Sequence, residues 1–228
     1  QDKTEIIIFW PKHSKVTTEN MTPTIGNSII TPADHVRNLG VTQDSCLSME
    51  KHVNSVSKSC YYQLRSISKI RRYITADACK TLIHATVISR LDYGNVLLHG
   101  ISKSLISRLQ GIQNSSARLI TKTPRREHIT PALCELHWLP VEYRSVFKLL
   151  TYTYKAVNGT APAYLCDLVE KQCHSRTLRS SSRSLLTVPR TKTATYGDRW
   201  FGRTAPQLWN ALPDSIKSVK TFKKCLKA

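Results

Sequence analysis

Acidic side chains are scarce in this sequence and never adjacent. The 228 residues carry 15 Asp and Glu against 34 Lys and Arg, a net charge of +19. With no two acids side by side, no carboxylate pair suited to holding two metal ions is visible. A Gly-rich phosphate loop, an HExxH helix and a GxSxG elbow are missing as well. No catalytic constellation is therefore expected. Long hydrophobic runs are also absent. No stretch reaches the roughly 18 apolar residues a membrane helix needs, so no membrane partner is expected. The first residue is Gln1, and no signal-peptide pattern follows it. The seven Cys are irregularly spaced. Without a secretory signal they read as reduced thiols of an intracellular protein, nuclear or cytoplasmic and not secreted.

What is present is positive charge, unevenly placed. Residues 1–45 hold four Lys/Arg and five Asp/Glu, while residues 46–228 hold thirty and ten. An excess of that size favours a polyanion partner, nucleic acid before an anionic membrane surface. At 40% hydrophobic content the chain can pack one or two domains.

The segment Met49 to Ile74 shows the pattern most clearly. Val53, Cys60, Ile67 and Ile74 recur every seven residues, and Met49, Val56, Gln63 and Ile70 form a second line. Together they read as the apolar seam of one amphipathic helix. Lys51, Lys58, Arg65 and Arg72 recur at the same interval opposite that seam, about 10 Å apart. A solvated face is the plain alternative. Glu50 is the only acid in the segment, which tips the balance towards nucleic acid. Lys69 and Arg71 extend the candidate set.

The rest of the chain reads as follows. DKTEIIIF at 2–9 reads as a buried strand. Gly26-Asn27 between short apolar runs reads as a hairpin turn. VRNLGV at 36–41 reads as one more strand, with Gly40 allowing a bulge. Helices are expected next. One opens at Thr75 and closes at Gly94, and another is capped by Ser104. A short one starts at Thr130-Pro131, a longer one covers about 142–157 with Asn158-Gly159 as its stop, and a last short one opens at Pro162. Residues 171–203 carry eight Lys/Arg and one acid, Asp198, and lose helical spacing. Short strands at 185–188 and 193–196 and a basic amphipathic tail at 221–228 are expected there. Trp200, Phe201 and Trp209 lie among Arg190, Lys192, Arg199 and Arg203, as core or as base-stacking platforms. The spacing of Trp209 with Leu208 and Leu212 favours core. A zinc reading of Cys134 and His137, with Cys166, Cys173 and His174, lacks compact paired spacing. Cys134 reads more simply as a core residue beside Leu133 and Leu136.

Eight further pieces carry a resemblance. They are DKTEIIIF at 2–9, NLGVTQDSCLSMEKHV at 38–53, SRLDYGNVLLHG at 89–100, LQGIQNSSARLI at 109–120, LHWLPVEYR at 136–144, FKLLTYTYKAVNGTAPAYL at 147–165, VPRTKTATYGDRWF at 188–201 and APQLWNALPDSIK at 205–217. In that order they resemble the C-terminal portion of reverse transcriptases from jockey-type non-LTR retrotransposons (LINE elements). The resemblance implies a mainly α fold with a small N-terminal β piece and an irregular basic C-terminal region. It divides the chain into a palm edge and primer-grip-like hairpin at 1–45, a thumb-like helical bundle at 46–127, C-terminal helices at 128–170 and a basic, aromatic-containing region at 171–228. Leu39, Gly40 and Val41 are similar to the primer grip. The implied partners are an RNA and DNA template–primer and the upstream palm and fingers of the same polyprotein. The family's metal-binding aspartates have no positions in this sequence. The Mg²⁺ they imply therefore belongs to the full-length enzyme, and no cofactor is expected in this chain. An independent basic nucleic-acid-binding protein derived from a retroelement is the alternative.

Overall fold

The computed structural model describes residues 4–10, 23–25, 28–172, 185–193, 196–217, 222 and 226. The chain is mainly helical, with small antiparallel hairpins confined to its N-terminal part. It divides into two compact units. One comprises residues 1–94 and 101–138, the other 95–100 and 139–228. The boundary thus falls after Trp138, and the hairpins belong with the first helices in one unit.

In the first unit, β1 (Thr24–Ile25) pairs with β2 (Ser28–Ile29), with Ile25 opposite Ser28. The connecting Gly26-Asn27 lies outside the described residues. The next hairpin corrects the expectation for residues 36–41. The chain does not run through as one strand. β3 (His35–Asn38) turns at Leu39-Gly40 into β4 (Val41–Asp44), with Asn38 opposite Val41. Leu39 and Gly40 both have positive φ, 46° and 82°. A two-residue turn of that hand matches strand twist. Leucine is an unusual occupant of the left-handed region, which is why the turn does not show in the sequence. The expected strand at 2–9 does not form over its described residues either. Among the bonds that tie residues 4–10 to the rest of the unit are Ala33 N to Ile6 O at 2.7 Å and Trp10 N to Ser45 O at 3.2 Å. A β-branched run without a ladder partner stays irregular.

Helix α1 (Glu50–Ile70) begins where Asp44 ties down the chain. Its carboxylate accepts the amides of Ser48 and Met49, at 2.9 and 2.8 Å. Burial works against ionisation of Asp44, but those amides outweigh it and hold the carboxyl below its ordinary range. After a 3₁₀ turn at Arg71–Tyr73 comes α2 (Ala76–Ile83). Thr75 caps it, accepting from Ala78 N at 3.2 Å. A π turn at His84–Ile88 leads into α3 (Ser89–Asp92), and Gly94 follows with φ 62°. Then come α4 (Lys103–Thr121), opening at Ser102 instead of Ser104, and α5 (Thr130–Glu135). Helix α1 packs on both α4 and α2. Trp138 closes the unit, buried, its ring meeting His84 edge-on at 5.4 Å.

In the second unit α6 (Val141–Val157) is the long element, followed by α7 (Ala163–Cys166), α8 (Phe201–Asn210) and α9 (Asp214–Lys217). Its core is Leu150, Leu186, Trp209 and Phe222. Tyr154 stacks on Phe222 at 4.5 Å, and Trp209 lies 5.8 Å from the same ring. The expected strand at 185–188 is reduced to a single bridge, Lys171 to Leu186. Asn210 supplies what a neighbouring strand would. Its side chain accepts from Leu186 N and donates to Leu186 O, both at 2.9 Å. Thr193 and Tyr196 belong to no strand, and the residues between them, Cys173, His174 and most of 221–228 lie outside the described residues.

Candidate nucleic-acid interface

Helix α1 offers one buried face and one basic face. The buried line is Met49, Val53, Ser57, Cys60, Leu64 and Ile67. This corrects half of the expected seam. The line Met49, Val56, Gln63, Ile70 leaves the core step by step, from 2% exposure at Met49 to 43% at Ile70. A seven-residue repeat on a straight helix slips by about 20° per heptad, so a line that starts buried rotates out. Ser57 and Leu64 take over on the other side.

The same slip carries the cations across the solvent face. Lys51, Lys58, Arg65, Lys69 and Arg72 are all exposed. The Lys51 ammonium donates to His35 Nδ1 at 2.8 Å. The Arg72 guanidinium lies over the Tyr73 ring, 4.7 Å from its centroid. Lys58, Arg65 and Lys69 make no side-chain hydrogen bond or ion pair among the described residues. Tyr62, 69% exposed, stands between them. Helical spacing missed this ring as a member of the face. A row of cations with an aromatic among them, on a helix rooted in a core, can meet phosphates and stack on a base.

Arg71 is placed differently from its neighbours. Its guanidinium donates to the carbonyls of Leu119 at 2.7 Å, Ile120 at 2.8 Å and Ile74 at 3.1 Å. It therefore satisfies the open C-terminal carbonyls of α4 and is occupied with the fold. The fork of Arg118 does similar work, donating to Pro124 O and Glu127 O.

The three hairpin residues lie at a turn that borders Tyr93 and the Ser55–Ser59 flank of α1. Leu39 is at the tip, 83% exposed, while Val41 is buried. The Tyr93 hydroxyl donates to Leu39 O, and a Cβ on Gly40 would touch the Tyr93 ring at 3.4 Å. An open cleft of about 610 Å³ lies between this hairpin, α1 and α3, with Arg37 and Arg90 in its lining. Sequence reasoning did not find the cleft, because it joins three elements that no spacing rule connects.

His52 forms part of that lining and is buried. Thr42 N donates to its Nδ1 at 3.4 Å. Burial and then the nearby Arg37 charge push its pKa down. In the second unit His99 is lowered as well, by burial and then by Arg199, against a weaker pull from Glu142. The folded chain thus resists protonating both rings, while the unfolded chain protonates them near the ordinary value of 6.5. Below that value the unfolded state binds more protons, so stability falls until the folded rings titrate in turn. Thermal melts should show Tm dropping between about pH 7 and 5, with a shallower drop for His52→Gln. A flat profile for the wild-type chain would contradict the placement of both rings.

The motif residues of the second unit serve its fold. Arg199 donates to His99 O and Leu97 O, at 2.9 and 2.8 Å, and so holds the 95–100 segment. Asp198 accepts from Thr191 Oγ1 and pairs with Arg203, both at 2.8 Å. Trp209 is 1% exposed, and Trp200 is 44% exposed. Cys134 is exposed, in contrast to the expected core position, while Ala132, Leu133 and Leu136 supply the buried face there. Among the described residues no group of three or more His, Cys, Asp or Glu side chains could hold a metal ion. No described helix is long and apolar enough to cross a membrane. No family model, curated protein or solved structure matches the chain.

Proposed function

We propose that this chain acts as the thumb and C-terminal part of an RNA-directed DNA polymerase of the non-LTR retrotransposon type. Its biochemical act is to hold a template–primer by the phosphate backbone. The observation that carries the proposal is the α1 face: Lys51, Lys58, Arg65 and Lys69 exposed along one helix, with Lys58, Arg65 and Lys69 free of acidic partners among the described residues. Cations on a rigid scaffold bind phosphates without reading bases. The turn at Leu39-Gly40 supports the primer-grip likeness.

Two experiments test this proposal. A primed RNA template should bind with the same affinity for two unrelated sequences, because the contacts lie on the backbone. A strong preference for one sequence would overturn it. The second experiment is polymerisation. No two acids are adjacent in the sequence, so the chain given template–primer, Mg²⁺ and deoxynucleotides should extend nothing. Extension that survives removal of contaminating polymerases would contradict the assignment to the non-catalytic part.

A further inference from the structure

The cleft beside the hairpin is separate in kind from the cationic row. Ser55 and Ser59 of α1 line it, about 60° and 100° around the helix from Lys58 at 100° per residue. At about 610 Å³ it is within the size range of small-molecule sites, about 300–1,000 Å³. Its cations are Arg37 from β3 and Arg90 from α3, and no acid is among its lining residues. Arg90 donates to Ser59 Oγ. The Arg37 side chain makes no hydrogen bond or ion pair among the described residues. Each guanidinium presents a fork shaped for phosphate oxygens.

Two positive charges facing one open volume favour a doubly charged anion over a singly charged one. A phosphate monoester carries about −1.5 to −2 at pH 7, whereas each diester along a nucleic-acid backbone carries only −1. The volume greatly exceeds a phosphate group. The remaining wall includes Ser55, Ser59, Val56 and Tyr93, hydroxyls with an aliphatic and an aromatic surface, and the His52 ring. Such a wall suits a sugar and a base. We infer that this cleft binds a terminal phosphate monoester carried on a nucleoside, as a free mononucleotide or as the 5′-phosphorylated end of an unpaired strand. This goes beyond backbone holding, which engages diesters and needs no end.

The test is calorimetric titration of the full chain with AMP and with adenosine. It is repeated with one short oligonucleotide bearing either a 5′-phosphate or a 5′-hydroxyl. AMP should bind at least about tenfold more tightly than adenosine, the loss expected for one charge-assisted hydrogen bond. Arg37→Gln with Arg90→Gln should remove that advantage. Arg37→Gln alone should reduce it, and since this side chain holds nothing in the fold, a folding defect cannot imitate the loss. Lys58→Glu with Arg65→Glu should leave AMP binding intact while weakening duplex binding, which separates this site from the backbone-holding face. A 5′-phosphorylated oligonucleotide that outbinds both AMP and its hydroxyl form identifies the strand end as the ligand. Equal binding of the two oligonucleotides, with AMP bound, identifies the free nucleotide. AMP binding no tighter than adenosine, or unchanged in both arginine variants, would overturn the inference.

Discussion

Trp209→Ala should cost the second unit about 3–5 kcal/mol, read directly as a loss of its melting transition. The indole is 1% exposed and lies between Leu150, Leu186 and Phe222, with Tyr154 at 6.5 Å. Its removal leaves a cavity beside the rings of Tyr154, held on α6, and Phe222. The loss is large against the roughly 5–15 kcal/mol that stabilises a typical domain. Circular dichroism melts check it. If stability stays at wild type and single-strand binding weakens instead, Trp209 is a stacking platform and the packing described above is wrong.

The second large effect concerns binding. Reversing Lys58, Arg65 and Lys69 to Glu should weaken template–primer binding by more than about tenfold at moderate salt, since each hydrogen bond to a charged group contributes about 1.5–3 kcal/mol. The fold should survive, because exposed substitutions usually shift stability by within about 0.5 kcal/mol each. Ile67→Ala should behave in the opposite way. That side chain is 5% exposed, and its truncation costs about 2–5 kcal/mol without altering charge. Melts and binding isotherms of the two variants separate the faces of α1. A triple variant that melts early, or an Ile67→Ala variant that melts as wild type, would show the faces wrongly assigned.

The helical part of the fold is legible wherever caps mark it. Thr75 caps α2, Gly94 and Gly159 take positive φ after α3 and α6, and Pro131 sits in the first turn of α5. These signals are local, so they survive without knowledge of the tertiary structure. The β part is less legible. The β-branched run at 2–9 suggests a strand, yet a strand exists only where a partner completes its ladder. The turn at Leu39-Gly40 is hidden by a leucine in a conformation glycine or asparagine would normally signal. The π turn at His84–Ile88 carries no sequence mark.

The candidate site divides in the same way. The seven-residue interval finds Lys51, Lys58, Arg65 and Arg72, and all four are exposed. It cannot distinguish Arg71 from Lys69, because only the placement of α4 carbonyls turns one inward. It also misses Arg37 and Arg90, whose convergence depends on the packing of the hairpin and α3 against α1.

The salt dependence of template–primer binding is the most direct test of backbone holding by the α1 face. The logarithm of the affinity is plotted against the logarithm of salt concentration for the wild-type chain and for the triple Glu variant. Each phosphate that is no longer neutralised flattens the slope by about 0.9 on B-form DNA, so three should remove about 2.7. A variant line flatter by roughly that amount, with an unchanged melt, is the predicted result. Two parallel lines of equal affinity would mean that the cations of α1 only face solvent and that the duplex is held elsewhere.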